Sequence, residues 1–367
     1  MKLKVFNYFK VRQIEKICVR NIIKYLCVIC LAIATLFFSN PIESLLKLKV
    51  PQFKKDNQTA QVHFIDVGQG ECIAVRFNNG KTMLIDSGVA NQEKKLIKYL
   101  DKIFFKGYDK IFDYVILTHT DTDHYGNTEA VLSRYEIGKF YVPPNYYNSV
   151  VMKEIKDVVN RKHIIVEENI DGLKLDFEEN MVNWYMAGTN LLDDNSLCPM
   201  LYFDLNGKKM LLTGDLNIES ENLLLYANNI ENVDVLKAGH HGSKSSTGRM
   251  ILEETNPNYL IISVGENTYG HPSNELIERV SDFNSTHDKE ISILRTDKLG
   301  NIILNFKNNN ISVSTLSNIN NYFIISWWVI VLIFVLAYSL YFVFARKYVI
   351  NKMYEKNLMA SKSKHKE

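Results

Sequence analysis

The chain has 367 residues, 46% of them apolar and 23% charged, with a formal net charge of +2. These proportions exclude a disordered polymer and a collagen-like repeat, and five cysteines are too few for a disulfide-stapled scaffold. The near-neutral total conceals an asymmetry: residues 1–24 carry +6, residues 346–367 carry +5, and the stretch 25–345 is left at −9.

In chain order, the basic segment 1–24 precedes an apolar run at 25–38. No small-residue cleavage site follows Phe38, so the run reads as an uncleaved membrane anchor. Residues 39–58 are a linker. The region 59–316 contains no internal repeat and no Gly/Ser/Pro stretch to divide it, which fits one large domain. Strands are expected at 62–66 and 73–77, separated by Gly68-Gln69-Gly70, and at 81–86 after the Asn79-Gly80 turn signal. In 93–105, Leu96, Ile97, Leu100, Ile103 and Phe104 share one helical face. A strand at 112–117 and a helix at 127–135 follow. Further strands are expected at 200–205, 209–213, 234–237 and 259–264, with a helix at 274–283 and a turn between strands at 305–310. Strands with intervening helices predict a layered α/β domain.

The run 322–345 has 24 residues and no charge. At 1.5 Å per residue it spans about 36 Å, enough to cross a hydrocarbon core of about 30 Å. The basic tail 346–367 ends it and also suits anionic headgroups. Lys/Arg-rich flanks remain in the cytoplasm, so both termini are expected there. The domain 59–316 is then expected on the extracytoplasmic face of the cell membrane.

The densest chemical signal directly follows the 112–117 strand: Thr118-His119-Thr120-Asp121-Thr122-Asp123-His124. Alternate residues leaving a strand project to one side, so His119 and Asp121 can face one point. A turn then brings Asp123 and His124 beside them. Imidazole with carboxylate suits Zn²⁺, Mn²⁺ or Fe²⁺ without a thiolate. Two later strands end similarly, in Thr213-Gly214-Asp215 and in Gly239-His240-His241-Gly242-Ser243. Together these read as one bowl of ligands gathered from separate strand ends. Asp86, in Leu84-Ile85-Asp86-Ser87-Gly88, reads as an acceptor that orients a ligand. Cys72 and Cys198 are expected as buried apolar cysteines rather than a disulfide. His63 is expected to be structural.

The pattern H-x-D-x-D-H, the T-G-D and the H-H-G-S resemble the metallo-β-lactamase-fold hydrolases. More narrowly, they resemble the extracytoplasmic hydrolase domain of the ComEC/Rec2 competence family. Further matches are Phe64-Ile65-Asp66-Val67-Gly68-Gln69-Gly70, the Leu84–Gly88 segment and Tyr269-Gly270-His271-Pro272, in the family's order over about 62–310. The resemblance implies a four-layer αββα sandwich with a metal site at its edge, here flanked by one transmembrane helix at each end. Carried over by position, His119, Asp121, Asp123, His124, Asp215 and one of His240 and His241 are metal-site residues. Asp215 would bridge. His240 is the expected ligand because it follows its strand more closely. His241 is then left for catalysis alongside Asp123 and His271, the last as phosphate contact or general acid. Ser243 and Lys244 are expected at the substrate.

Two features depart from the wider superfamily and are shared with the ComEC-like group. Asp121 stands at a position usually held by His, and no His occurs at 194–197. One metal position is thus short of nitrogen, which favours Mn²⁺ or a weakly held second Zn²⁺. The expected cofactor is two divalent ions, Zn or Mn, that lower a bridging water's pKa towards about 7 for phosphodiester hydrolysis. With at most two spans, the chain cannot form a multi-span DNA channel alone. The expectation is a membrane-tethered, extracytoplasmic metal-dependent phosphodiesterase or nuclease. Its partners are the lipid membrane and a phosphodiester such as DNA, with no protein partner predicted. The alternatives are a hydrolase of a wall-polymer phosphodiester or a lactone, and a catalytically idle metal-binding receptor or scaffold.

Overall fold

Short β-branched and aromatic strands alternate with short helices in the computed structural model, which describes residues 58–187 and 194–316. The anchors expected at 25–38 and 322–345, both basic ends and nearly all of the linker lie outside the described residues. Among the described residues no helix is long and apolar enough to cross a membrane.

The strands form two sheets. The first comprises β1 (Ala60–Phe64), β2 (Ile73–Arg76), β3 (Thr82–Ile85), β4 (Ile111–Ile116), β5 (Glu136–Val142), β6 (Ile165–Glu168), β14 (Asn301–Lys307) and β15 (Asn310–Leu316). Its order is β15-β14-β1-β2-β3-β4-β5-β6. The second comprises β7 (Lys174–Asp176), β8 (Asn180–Tyr185), β9 (Met200–Leu205), β10 (Lys208–Leu212), β11 (Val235–Lys237), β12 (Tyr259–Ile262) and β13 (Ser292–Arg295). These run in the order β13-β12-β11-β10-β9-β8-β7.

Side-chain alternation sets the layers. In β1, Val62 and Phe64 enter the core between the sheets, with Trp184, Phe203 and Met210 from the second sheet. His63 points the other way, its Nδ1 2.9 Å from the Tyr99 hydroxyl and its ring against Phe104. Both partners belong to the helix Glu93–Tyr99 and the π turn Leu100–Phe104 that continues it. In β10, Met210 and Leu212 face the inter-sheet core. Leu211 packs outward against Leu224, Leu252 and Val280, which belong to the helices Ile218–Asn228, Arg249–Thr255 and Asn274–His287. The result is helix, sheet, sheet, helix.

Most of the expected elements are present with edges moved by a few residues. The last long helix continues four residues past 283, to His287, where Asp288 adopts a left-handed φ of 47°. The expected 305–310 turn is tighter: Asn308 and Asn309, at φ 49° and 56°, make a two-residue hairpin loop between β14 and β15. Strand β5 was not foreseen because Gly138 interrupts it. A Cβ there would lie 2.5 Å from the Asp113 carbonyl oxygen on the neighbouring strand, so glycine permits the close approach.

Pairing direction places the site. β3, β4 and β5 run parallel, as do β10, β11, β12 and β13. The segments leaving the carboxyl ends of β3, β4, β10, β11 and β12 bring Asp86, His119–His124, Asp215, His240–His241 and Ser263 together.

Candidate metal centre

The cluster is built from histidines whose outer nitrogens are already committed. Asp86 leaves β3 in a left-handed conformation, φ 55°. Its carboxylate accepts from the Thr118 N–H at 2.9 Å and the Thr118 hydroxyl at 2.7 Å. His124 Nδ1 lies 2.7 Å from Asp86 Oδ2. An ionised carboxylate only accepts, so Nδ1 carries a proton and Nε2 is the nitrogen left to face a cation, giving up any proton of its own when one binds. The same reasoning fixes His241, whose Nδ1 donates to the Ser263 carbonyl at 2.8 Å. His119 Nδ1 meets the Thr118 hydroxyl at 3.0 Å and Cys198 Sγ at 3.2 Å.

The inner nitrogens converge on Asp215. Its Oδ2 lies 3.9, 3.4, 3.6 and 3.8 Å from Nε2 of His119, His124, His240 and His241. Those separations are too long for good hydrogen bonds. They resemble the edges of a tetrahedron around a cation, about 3.4 Å for bonds of about 2.1 Å. Nε2 of His119, His124 and His241, and Asp215 Oδ1, are buried and have no hydrogen-bond partner. Buried polar atoms are ordinarily satisfied, so three orphaned Nε2 atoms gathered around the Asp215 carboxylate fit a cation site. Two donor groups meet the separation a single ion requires: His119, His124 and Asp215, and Asp123, His124 and His241.

This geometry agrees with what the sequence matches. Residues 65–266 match the metallo-beta-lactamase superfamily. The chain belongs to that superfamily. It is 28% identical over 269 residues to ComE operon protein 3 of Bacillus subtilis (strain 168), covering 68% of this chain and 33% of that protein. It is also 28% identical over 258 residues to Recombination protein 2 of Haemophilus influenzae, covering 68% of this chain and 29% of that protein. The chain thus spans about a third of the length of these curated relatives. Among solved structures, the metallo-beta-lactamase fold protein YhfI of Bacillus subtilis aligns at 13% identity with a TM-score of 0.45, covering 70% of this chain and all of that one. The expected resemblance to competence-family proteins is borne out, as is the two-sheet α/β fold.

Within this metallo-beta-lactamase frame the second of the two adjacent histidines, not the expected first, stands in a donor group. His240 and His241 both have left-handed backbones, φ 47° and 53°. The turn therefore carries the second imidazole back under the strand ends, where Ser263 holds it. His241 Nε2 is buried 3.3 Å from Asp123 Oδ2. His240, expected as the ligand, keeps a third of its side chain exposed and stands outside both donor groups. Asp121 is half-exposed, its Oδ2 3.5 Å from His119 Nε2. The His271 ring stands 5.6 Å from that of His240, with the exposed Tyr269 ring on its other side at 5.9 Å. Ser243 does not reach inward: its hydroxyl pairs with Ser245 and its N–H caps the His240 carbonyl. Lys244 is exposed.

Electrostatics follow from the packing. Burial pushes the Asp215 carboxyl up, but the charges of His124 and His241 outweigh it and hold the group well below the usual range. Burial likewise opposes ionisation of Asp123, yet the neighbouring imidazoles of His241 and His124 keep it at about 2. Burial lowers the pKa of His240 and of His271. Sequence reasoning missed Thr118, Cys198 and Ser263, none of which carries a signal of its own. Thr118 alone lies beside a motif residue. Cys72 and Cys198 are both free and buried.

Proposed function

We propose that this chain is a membrane-tethered, metal-dependent phosphodiesterase acting outside the cytoplasm. The observation that carries the reading is the set of orphaned, buried Nε2 atoms gathered around the Asp215 carboxylate. His119, Asp121 and Asp215 would hold one divalent cation. Asp123, His124 and His241 would hold the other, with Asp215 between them. The donors are nitrogen and oxygen, which suits Zn²⁺ or Mn²⁺. Bound there, such ions supply Lewis acidity and an activated water for an in-line displacement.

The chain's own groups prepare that space. Asp86 and the Ser263 carbonyl keep the protons of His124 and His241 on Nδ1, so each Nε2 faces inward. Asp123 is ionised at neutral pH, with a pKa of about 2. His240 and His271, whose pKa values burial lowers, are neutral at pH 7. At the mouth of the site their N–H groups can donate hydrogen bonds to phosphoryl oxygens. Lys244 adds positive charge on the exposed side.

A nucleic-acid phosphodiester is supported by a relative named for recombination. Tethering and an extracytoplasmic location are supported by the uncharged 322–345 run and the basic flanks. The purified protein is expected to hydrolyse bis(p-nitrophenyl) phosphate with Mn²⁺ or Zn²⁺. Asp123→Ala and Asp215→Ala should each fall to background, and retained cleavage by either would overturn the assignment. Reporter enzymes fused at Thr59 and at the C-terminus test topology: cytoplasmic activity at Thr59 would refute it.

A further inference from the structure

Beneath the centre lies a pair of charges that the proposed chemistry does not use. Glu71 precedes β2 in the first sheet, and Lys237 ends β11 in the second. Glu71 is 2% exposed and Lys237 0%, and Glu71 Oε2 sits 2.6 Å from Lys237 Nζ. A buried ion pair is poor evidence for stability, because desolvation offsets most of the attraction. Its hydrogen bonds suggest another purpose. Glu71 Oε1 accepts from the Ser263 hydroxyl at 2.8 Å, and the Ser263 carbonyl is the acceptor that orients His241. The Glu71 N–H donates to the Asp123 carbonyl at 3.1 Å. Lys237 Nζ donates to the Ala238 carbonyl at 2.7 Å, where the chain turns towards His241.

Every one of these bonds leads to the Asp123–His241 side of the centre. His119 is held independently, by Thr118 and Cys198. We propose that Glu71 and Lys237 are positioning residues for the cation position formed by Asp123, His124 and His241. Clamped across the two sheets, the pair fixes the Ser263 carbonyl, the Asp123 backbone and the start of the histidine turn relative to one another. The proposal rests on the metal reading above and specifies which half of the centre the pair serves.

Titration calorimetry of the full chain with Mn²⁺ alone tests it. The wild type should show two binding events, and Asp123→Ala identifies the event belonging to the Asp123–His241 position. The double variant Glu71→Gln/Lys237→Met leaves no unpaired buried charge. It should weaken that event by about 10- to 100-fold, the usual cost of losing a ligand's outer partner. The other event should hold to within about twofold, as expected for a site that shares no partner with the change. Ser263→Ala keeps both charges and cuts only their link to the His241 acceptor, so it should weaken the same event alone. Lys237→Arg, which retains the charge, should recover most of the lost affinity. Unchanged affinity at both positions in the double variant and in Ser263→Ala, or an equal loss at both, would overturn the proposal. A wild type that binds no Mn²⁺ would instead sink the metal reading on which it stands.

Discussion

Replacing Asp86 by Asn separates orientation of a ligand from backbone support. The φ of 55° at Asp86 is a conformation Asn adopts readily, so the turn after β3 should survive. Ala there would add strain. The carboxylate accepts three hydrogen bonds: the Thr118 N–H on Oδ1, and the Thr118 hydroxyl and His124 Nδ1 on Oδ2. An amide has one accepting oxygen. With the oxygen towards His124, the NH₂ confronts the Thr118 N–H, donor against donor. Flipped, the NH₂ meets His124 Nδ1, which must then accept, and the proton moves to Nε2 where it blocks ligation. Either way a charge-assisted hydrogen bond of about 1.5–3 kcal/mol is lost. At about 1.4 kcal/mol per tenfold, metal affinity should fall by roughly 10- to 100-fold. Calorimetry with Zn²⁺ or Mn²⁺ measures the affinity, and ¹⁵N spectra of the imidazoles report the tautomer. Wild-type affinity in a folded Asp86→Asn protein would refute the claim that Asp86 sets the His124 tautomer.

Glu221 supplies a pH signature remote from the chemistry. Fully buried, it accepts from the Thr247 and Gly248 N–H groups at 2.8 and 3.0 Å, and burial pushes its carboxyl from 4.5 up to about 7. Because the folded state prefers the proton, this stabilisation is complete below the unfolded pKa and lost as pH rises through 7. The loss is about 3 kcal/mol. Urea unfolding at pH 5 and pH 8 should show it in the wild type and not in Glu221→Gln; parallel pH profiles would contradict it. Phe203→Ala, at a fully buried position between the sheets, should cost about 3–5 kcal/mol in the same assay. His271→Ala should lower kcat by about 10²-fold or more while leaving metal affinity at the wild-type value. A matching loss of metal affinity would make His271 part of the cation site instead.

How far the sequence could be read follows from the range of each interaction. β1, β4 and β10 were legible because each is a short run of β-branched, aromatic or other apolar residues closed by turn or ligand-type residues. That His119, Asp123, His124 and Asp215 would gather at one place was legible because each follows a strand at fixed local spacing. The end of the helix Asn274–His287 shifted by four residues because the left-handed cap at Asp288, rather than apolar pattern, sets it. That His241 rather than His240 stands in a donor group has a definite reason. Proximity to the strand assumes extended backbone, and two successive left-handed residues reverse the direction in which the side chains leave. The supporting partners were invisible because they are distant in the chain: Ser263 and Glu71 are 192 positions apart, and Cys198 meets His119 across 79.

That last contact bears on the choice of ion. The 194–197 segment, where the wider superfamily was expected to supply another histidine, has none, and the sulfur of the adjacent Cys198 faces the outer nitrogen of His119. On the proposed assignment, which gives His124 to the other cation, the His119 side completes its donors with carboxylates, from the half-exposed Asp121 and from Asp215. The other side has two buried imidazoles, His124 and His241, beside Asp123. Nitrogen-rich and oxygen-rich halves that share Asp215 should differ in their preference between Zn²⁺ and Mn²⁺. Competition between the two ions should then displace them one position at a time, with Mn²⁺ persisting longer at the His119 side. Simultaneous displacement from both halves would show that donor type does not set the preference.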